Sequence, residues 1–322
     1  VFGNSQPLLL ASGVLVAMAA FPGLPAIPFL MLGTGVGIAG WRLRQRTVTT
    51  EKAQEKSSPA PGRENLESLL RVEPLAVEVG LGLVKLVEGA QESPLLRRIA
   101  AIRRQLAGEL GYLLPPVRVT DNLSLGARQY VVSLKGAEIS RYELPQGCEM
   151  AIPPAGRSVA IDGTATREPA FGLPAFWIPT ASAAGARQAG CTVVDAISVL
   201  GTHLAETIRR HAHELFSRQD AKKLLDRVSA ENPKLVEDLV PKLLPLALVQ
   251  RVLQNLLRER VSIRDAVSIL EALGEAAAMT KNPILLTEYV RQALRRMVVK
   301  PYTSPSGDLP VYLLDPTIEQ AV

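Results

Sequence analysis

The residues best suited to catalysis are few and scattered. Histidine occurs three times, as His203, His211 and His213, and cysteine twice, as Cys148 and Cys191. Metal ligands must converge, and on a helix that requires positions three or four apart on one face. His211 and His213 stand two apart and point in different directions, while His203 lies about two turns before His211. Each reads as a solvated or hydrogen-bonded helix residue, and no metal or other cofactor is expected. The cysteines have no Cys-x-x-Cys spacing and read as ordinary reduced thiols. No serine sits in a G-x-S-x-G elbow, and no G-x-x-x-x-G-K-[ST] loop occurs. Gly35, Gly37 and Gly40 do spell G-x-G-x-x-G, but that motif needs a preceding strand, a following amphipathic helix and a later acidic residue. Here it falls inside an uncharged apolar run. The residues give no positive case for an enzyme, and a membrane-tethered enzyme or nucleotide-binding protein stands as the alternative of a different class.

Binding chemistry is more visible. Aromatic residues make up only 4% of the chain, yet Phe171, Phe176 and Trp177 fall within seven positions, between Pro169, Pro174 and Pro179. Prolines at that spacing exclude a helix from Thr166 to Ile178. A stiff, extended loop with large apolar groups either plugs its own core or offers a surface to a partner. Arg97, Arg98, Arg103 and Arg104 line one face of the helix that precedes this region. With 36 basic against 31 acidic residues and no aromatic interleaving, that face reads as solvated, and no nucleic-acid partner is expected.

The elements that would position this loop follow from periodicity and punctuation. Leu75, Val77 and Val79 alternate as in a half-buried strand. Ser93 and Pro94 form a cap and first-turn pair, and Leu95, Ile99, Ile102, Leu106 and Leu110 keep helical spacing until Gly111. Strands near 128–135 and 137–144 flank Gly136 as a hairpin, and a short strand ends at Ile152. A small-residue helix at 181–188, a strand at 191–194 and a helix capped by Asp195 come next. That last helix sets Ile197, Leu200, Leu204, Ile208 and Leu215 on one face, with Thr202, His203, Glu206 and Arg210 around it. Helices then follow at 220–229, 234–239, 246–258, 263–278 and 283–299, Ser262 and Asp265 having the spacing of a capping box. A strand is expected at 311–314.

Ahead of all this, residues 1–41 carry no charge. As one helix they would extend about 60 Å, twice a hydrocarbon core of roughly 30 Å, so they should fold back at Pro22, Gly23, Leu24 and Pro25 as a transmembrane hairpin. Arg42, Arg44 and Arg46 would hold the far end of the second span in the cytoplasm. A polar, proline-containing stretch to about Asn65 reads as a flexible linker.

The sequence resembles the FlhA family of flagellar export-gate proteins of type III secretion. The resemblance rests on Pro22-Gly-Leu-Pro25, Leu113-Leu-Pro-Pro-Val-Arg-Val119 with Asp121-Asn122, Lys135-Gly136, Thr166-Arg-Glu-Pro-Ala-Phe-Gly-Leu173, Thr192-Val-Val-Asp195, Thr202-His-Leu204 and Val252-Leu-Gln-Asn-Leu-Leu257. It implies an inner-membrane protein with a large cytoplasmic region of α+β class, mixed α/β subdomains plus a helical subdomain behind a transmembrane hairpin. The implied division is a hairpin at 1–44, a linker at 45–65, a discontinuous first α/β subdomain at 66–142 and 196–215, and a small α/β insertion at 143–195. A helical subdomain at 216–299 and the start of a last α/β subdomain at 300–322 complete it. It further implies self-assembly into a nine-membered ring, contact with other export-gate membrane proteins and with the stalk protein of the export ATPase, and docking of flagellar export chaperones with bound substrates. Matched motif to motif, the docking positions are Glu168, Phe171 and Thr202, with Glu168 at the rim of the Phe171 surface and Phe176, Trp177 and Ile178 returning to the core. A virulence injectisome homologue is the alternative within the family.

Overall fold

The computed structural model describes residues 72–86, 93–156, 159, 161–311 and 313. The hairpin at 1–44 and the linker at 45–65 lie outside the described residues. No helix among the described residues is long and apolar enough to cross a membrane.

The first sheet grows from the alternation at Leu75, Val77 and Val79, which are buried in strand β1, Leu75–Val79. A parallel partner requires a crossover. It is supplied by a 3₁₀ turn, Leu81–Leu86, and helix α1, Pro94–Leu110, which return the chain to β2, Arg118–Asp121, beside β1. Helix α1 starts on the Ser93 cap and ends at Gly111, whose φ of 92° only glycine adopts without strain. A Cβ there would sit 2.3 Å from the backbone nitrogen of Arg264, so the helix end is pressed against the 261–265 segment. Strands β3, Gln129–Leu134, and β4, Ala137–Glu143, pair antiparallel around Lys135 and Gly136, both at positive φ, as a tight hairpin requires. The sheet order is β2-β1-β3-β4.

The second sheet has the order β6-β7-β5-β8, formed by β5 (Cys148–Ile152), β6 (Thr164–Arg167), β7 (Pro174–Pro179) and β8 (Thr192–Val194). The proline-bounded stretch that reads as an extended loop is therefore a β-hairpin, with Pro174 and Pro179 at the two ends of β7, where proline is tolerated. Alternation along its strands serves two cores. Met150, Ala175 and Trp177 face the main core, whereas Ala151, Phe176 and Ile178 pack with Cys191 and the small helix α2, Ala183–Gln188.

Asp195 caps α3, Ala196–Arg210, by accepting a bond from the Ser198 amide. Helix α3 packs on α1 and its buried face carries Val199, Leu200, Leu204 and Ile208; Ile197 is only half-buried. The rest is helical: α4 (Ala212–Leu215), α5 (Arg218–Glu231), α6 (Pro233–Leu239), α7 (Leu246–Arg258), α8 (Ala266–Ala276), α9 (Pro283–Ala293) and α10 (Arg295–Val299). Helix α7 buries Val249, Val252, Leu253, Leu256 and Leu257, a stripe at helical spacing that meets α9.

Several boundaries differ from expectation. The helix capped by Asp195 ends at Arg210, so Leu215, expected on its apolar face, lies instead in α4. The helix expected at 263–278 begins at Ala266 under an Asp265 cap, because Ser262 donates instead to the Glu109 carbonyl at 2.6 Å. A true capping box forms at Ser217 and Asp220. The helix expected at 283–299 breaks at Leu294. At the other end, Val311 and Leu313 lie in no strand.

Candidate functional site

The loop between β6 and β7, residues 168–173, is a turn closed on itself. The Glu168 amide donates to the Leu173 carbonyl, and the Gly172 amide returns to the Glu168 carbonyl, both at 2.8 Å. Gly172, at φ 72°, makes the reversal possible. The Glu168 carboxylate is turned inward and 5% exposed; it accepts from the amides of Ala170 at 2.9 Å and Phe171 at 2.7 Å. This corrects the placement of Glu168 at a partner-facing rim. A buried carboxylate needs donors, and the two amides of its own turn supply them.

The result is that Phe171 stands out from the turn, 58% exposed. Packing leaves this phenyl ring unexplained, and Leu173 of the same turn is exposed beside it. It borders a groove of about 650 Å³ whose other walls include Leu110, Arg209, Val261, Met297 and the exposed Tyr302. Thr202 is not among the residues lining that groove. It sits half-buried on α3, next in sequence to His203. Phe176 is half-buried, while Trp177 and Ile178 are buried.

A polar network ties the turn to the first sheet. The His203 ring lies 2.6 Å from the Tyr130 hydroxyl through Nδ1 and 2.6 Å from the Ser140 hydroxyl through Nε2. Burial, aided by the nearby charge of Arg210, lowers the His203 pKa to about 4, so the ring is neutral at pH 7 and one nitrogen donates while the other accepts. Burial, then the neighbouring Tyr142 and Glu168, pushes the Tyr130 phenol well above its usual value. Beside them the Tyr142 hydroxyl donates to the Arg167 carbonyl at 2.8 Å and lies 3.0 Å from Thr166 Oγ1, fastening β6 just before the turn. Sequence reasoning pairs Glu168, Phe171 and Thr202 but misses Tyr142, His203 and Arg210, whose Nη2 donates to the Ala170 carbonyl at 2.6 Å. Arg210 four residues after Glu206, the spacing of a helical ion pair, is the signal that was available.

Among the described residues no group of three or more His, Cys, Asp or Glu could hold a metal ion. His211 Nδ1 and His213 Nε2 lie 2.7 and 3.8 Å from Glu214 Oε1 at the end of α3 and in α4. Burial, followed by the nearby charge of Arg258, lowers the His213 pKa.

Two four-stranded sheets with a helical layer define the class: the fold is that of the Chlamydia pneumoniae CdsV protein in its complex with CdsO. The match has a TM-score of 0.69 and 26% identity, covering 78% of this chain and 73% of that one. The nonameric EPEC SctV-C shares the fold, with a TM-score of 0.62 and 22% identity over 82% of this chain and 75% of that one. The chain belongs to the FHIPEP family, whose model matches residues 1–322. It is 38% identical to the flagellar biosynthesis protein FlhA of Proteus mirabilis over 99% of its own length and 47% of that protein's. The chain thus spans about half the length of the curated relatives it matches.

Proposed function

We propose that the chain is an export-gate component of the flagellar type III protein export apparatus, its described unit a docking platform for flagellar export chaperones carrying their substrates. The observation that carries this reading is the exposed Phe171 ring on a turn whose Glu168, Ala170, Phe171 and Gly172 amides are bonded within it. A partner gains the apolar contact without the entropic cost of ordering the loop. Phe171 is the anchor, Glu168 shapes its turn from beneath, and Thr202 offers a hydroxyl on α3. The division into subdomains at 66–142 with 196–215, 143–195, 216–299 and 300–322 belongs to the same reading, as do the inner-membrane setting and the cytoplasmic side of the docking unit. Identity of 38% to a flagellar FlhA, against 26% to CdsV, favours the flagellar over the injectisome role. The complex of CdsV with CdsO supports a second protein partner, which the family resemblance makes the export ATPase stalk protein. Assembly into a nine-membered ring and contact with other export-gate membrane proteins are part of the proposal on the same resemblance. The role is binding and delivery, with no catalytic residues assigned. The test is titration of a flagellar chaperone–substrate complex against the wild-type chain and Phe171→Ala, with circular dichroism to check the fold. Unchanged affinity in a folded variant removes Phe171 from the interface; loss of the fold makes it a packing residue.

A further inference from the structure

We propose that Arg210 is a positioning residue for the Phe171 turn, and that buried Glu206, shared between Arg210 and Arg260, couples the turn to the segment joining α7 and α8. The inference deepens the docking reading of Phe171 and rests on it for its consequence, though its geometry is independent.

At the tip of the turn the amides are satisfied from within, by Glu168 and its carbonyl. The Ala170 carbonyl is different: it accepts from Arg210, which belongs to α3. Arg210 cannot be considered alone, because its Nε also donates to Glu206 Oε1 at 3.1 Å. The same oxygen accepts from Arg260 Nη2 at 2.7 Å. A continuous path of three charge-assisted bonds therefore runs from residue 260 to the backbone of residue 170. Glu206 is the buried node, its side chain 4% exposed, whereas both arginines are half in solvent. A buried carboxylate is held by partners or destabilises its surroundings, so a change at one arginine is felt by the other.

The backbone at Arg260 marks the far end of this path. Helix α7 closes with Val261 N–H bonded to the Leu256 carbonyl at 2.8 Å and Arg260 N–H to the Leu257 carbonyl at 3.1 Å. This is the helix end that places the residue just past the cap, here Arg260 after Glu259, in the left-handed region, with a φ of 61°. Glycine would fill that position with less strain. What arginine adds is a guanidinium that reaches Glu206. The groove beside Phe171 is lined by Glu206, Arg260 and Val261, so a shift of the 259–262 segment alters the groove wall and the hold on Glu206 together. Loss of Arg260 from the node redirects Glu206 and with it Arg210, releasing the Ala170 carbonyl. By reciprocity, a partner seated on Phe171 stabilises the α7–α8 segment in its present arrangement.

The experiment measures hydrogen exchange of the Ala170, Phe171 and Gly172 amides and affinity for one flagellar chaperone–substrate complex, on the full chain. The variants are Arg210→Ala, Arg260→Gly and Arg187→Ala, each with and without Phe171→Ala. Arg260→Gly relieves the backbone while removing the guanidinium, which keeps the fold. Arg187 is the control: it pairs with Glu149 at 2.9 Å and does not line the groove beside Phe171. Exchange at the three amides should rise about fivefold or more in Arg210→Ala and Arg260→Gly, and stay unchanged in Arg187→Ala. Affinity should fall about fivefold in the first two, and the loss should vanish in the Phe171→Ala background, since the residues act through the turn. Unchanged exchange in Arg260→Gly, or affinity losses that add to that of Phe171→Ala, overturns the coupling. If exchange responds while Phe171→Ala leaves affinity intact, the coupling stands and the docking reading falls. Should Arg210→Ala fail to fold, Arg210→Lys takes its place: one ammonium replaces a fork and should raise exchange by an intermediate amount.

Discussion

Replacing Glu168 by glutamine separates two roles that the residue type alone leaves open, support of the turn and contact with a partner. The carboxylate takes two backbone bonds, at 2.9 and 2.7 Å, from within a buried position. Hydrogen bonds to a charged acceptor are worth about 1.5–3 kcal/mol each in net terms. Glutamine keeps one carbonyl oxygen and turns an NH₂ toward the second amide, so roughly one bond is lost. With the Phe171 amide only part-buried, a local cost of about 2 kcal/mol is reasonable for Gln and about 3–4 for Ala. Two kilocalories correspond to about a thirtyfold rise in exchange at the Ala170 and Phe171 amides, measured by hydrogen exchange at fixed pH. If the carboxylate serves the turn, the accompanying loss of partner affinity is the same at low and high salt. An exchange rate unchanged from wild type, with an affinity loss that disappears near 1 M salt, would refute this reasoning and return Glu168 to the partner-facing side.

Three further outcomes follow from the surrounding structure. His203→Leu leaves the buried hydroxyl of Tyr130 and that of Ser140 without their shared partner, and should lower unfolding free energy in urea by about 2–4 kcal/mol. The same histidine makes stability fall in acid. Its folded pKa of about 4 lies below an unfolded value near 6.5, so its contribution is full above pH 6.5 and is lost as the pH drops toward 4. That amounts to about 3 kcal/mol at most, and His203→Gln should flatten this part of the urea–pH profile. Gly111→Ala places a Cβ at 2.3 Å from the Arg264 nitrogen on a left-handed backbone, and should cost about 2–4 kcal/mol in the same assay, whereas Gly108→Ala, which meets nothing within 4 Å, should be neutral or stabilising.

Legibility followed the range of the forces involved. The α1 boundaries were readable because Ser93, Pro94 and Gly111 act within a few residues of themselves, and the β3–β4 hairpin because Lys135 and Gly136 need only local backbone freedom. The α7 stripe was readable because one apolar face repeats over three turns. Failures came where a distant group competed. Ser262 looks like a cap but is taken by the Glu109 carbonyl, 153 residues away in sequence. The prolines of β7 mask a strand whose pairing with β5 and β6 is decided by tertiary neighbours. At the site, the exposure of Phe171 was one of two open readings, plug or surface, until the fold was known. The inward turn of Glu168 could not be read, since an acidic residue beside an exposed aromatic looks the same whether its carboxylate faces in or out. Arg210 and Glu206 were visible as a helical pair; what Arg210 holds was not.

The central claim is that Phe171 anchors a partner on a prebuilt turn, and titration calorimetry of a flagellar chaperone–substrate complex against wild type and Phe171→Ala tests it most directly. Truncating a central aromatic anchor costs about 2 kcal/mol or more, which predicts an affinity at least about thirtyfold weaker with an unaltered circular dichroism spectrum and unfolding midpoint. Equal affinities for the two folded proteins would contradict the account.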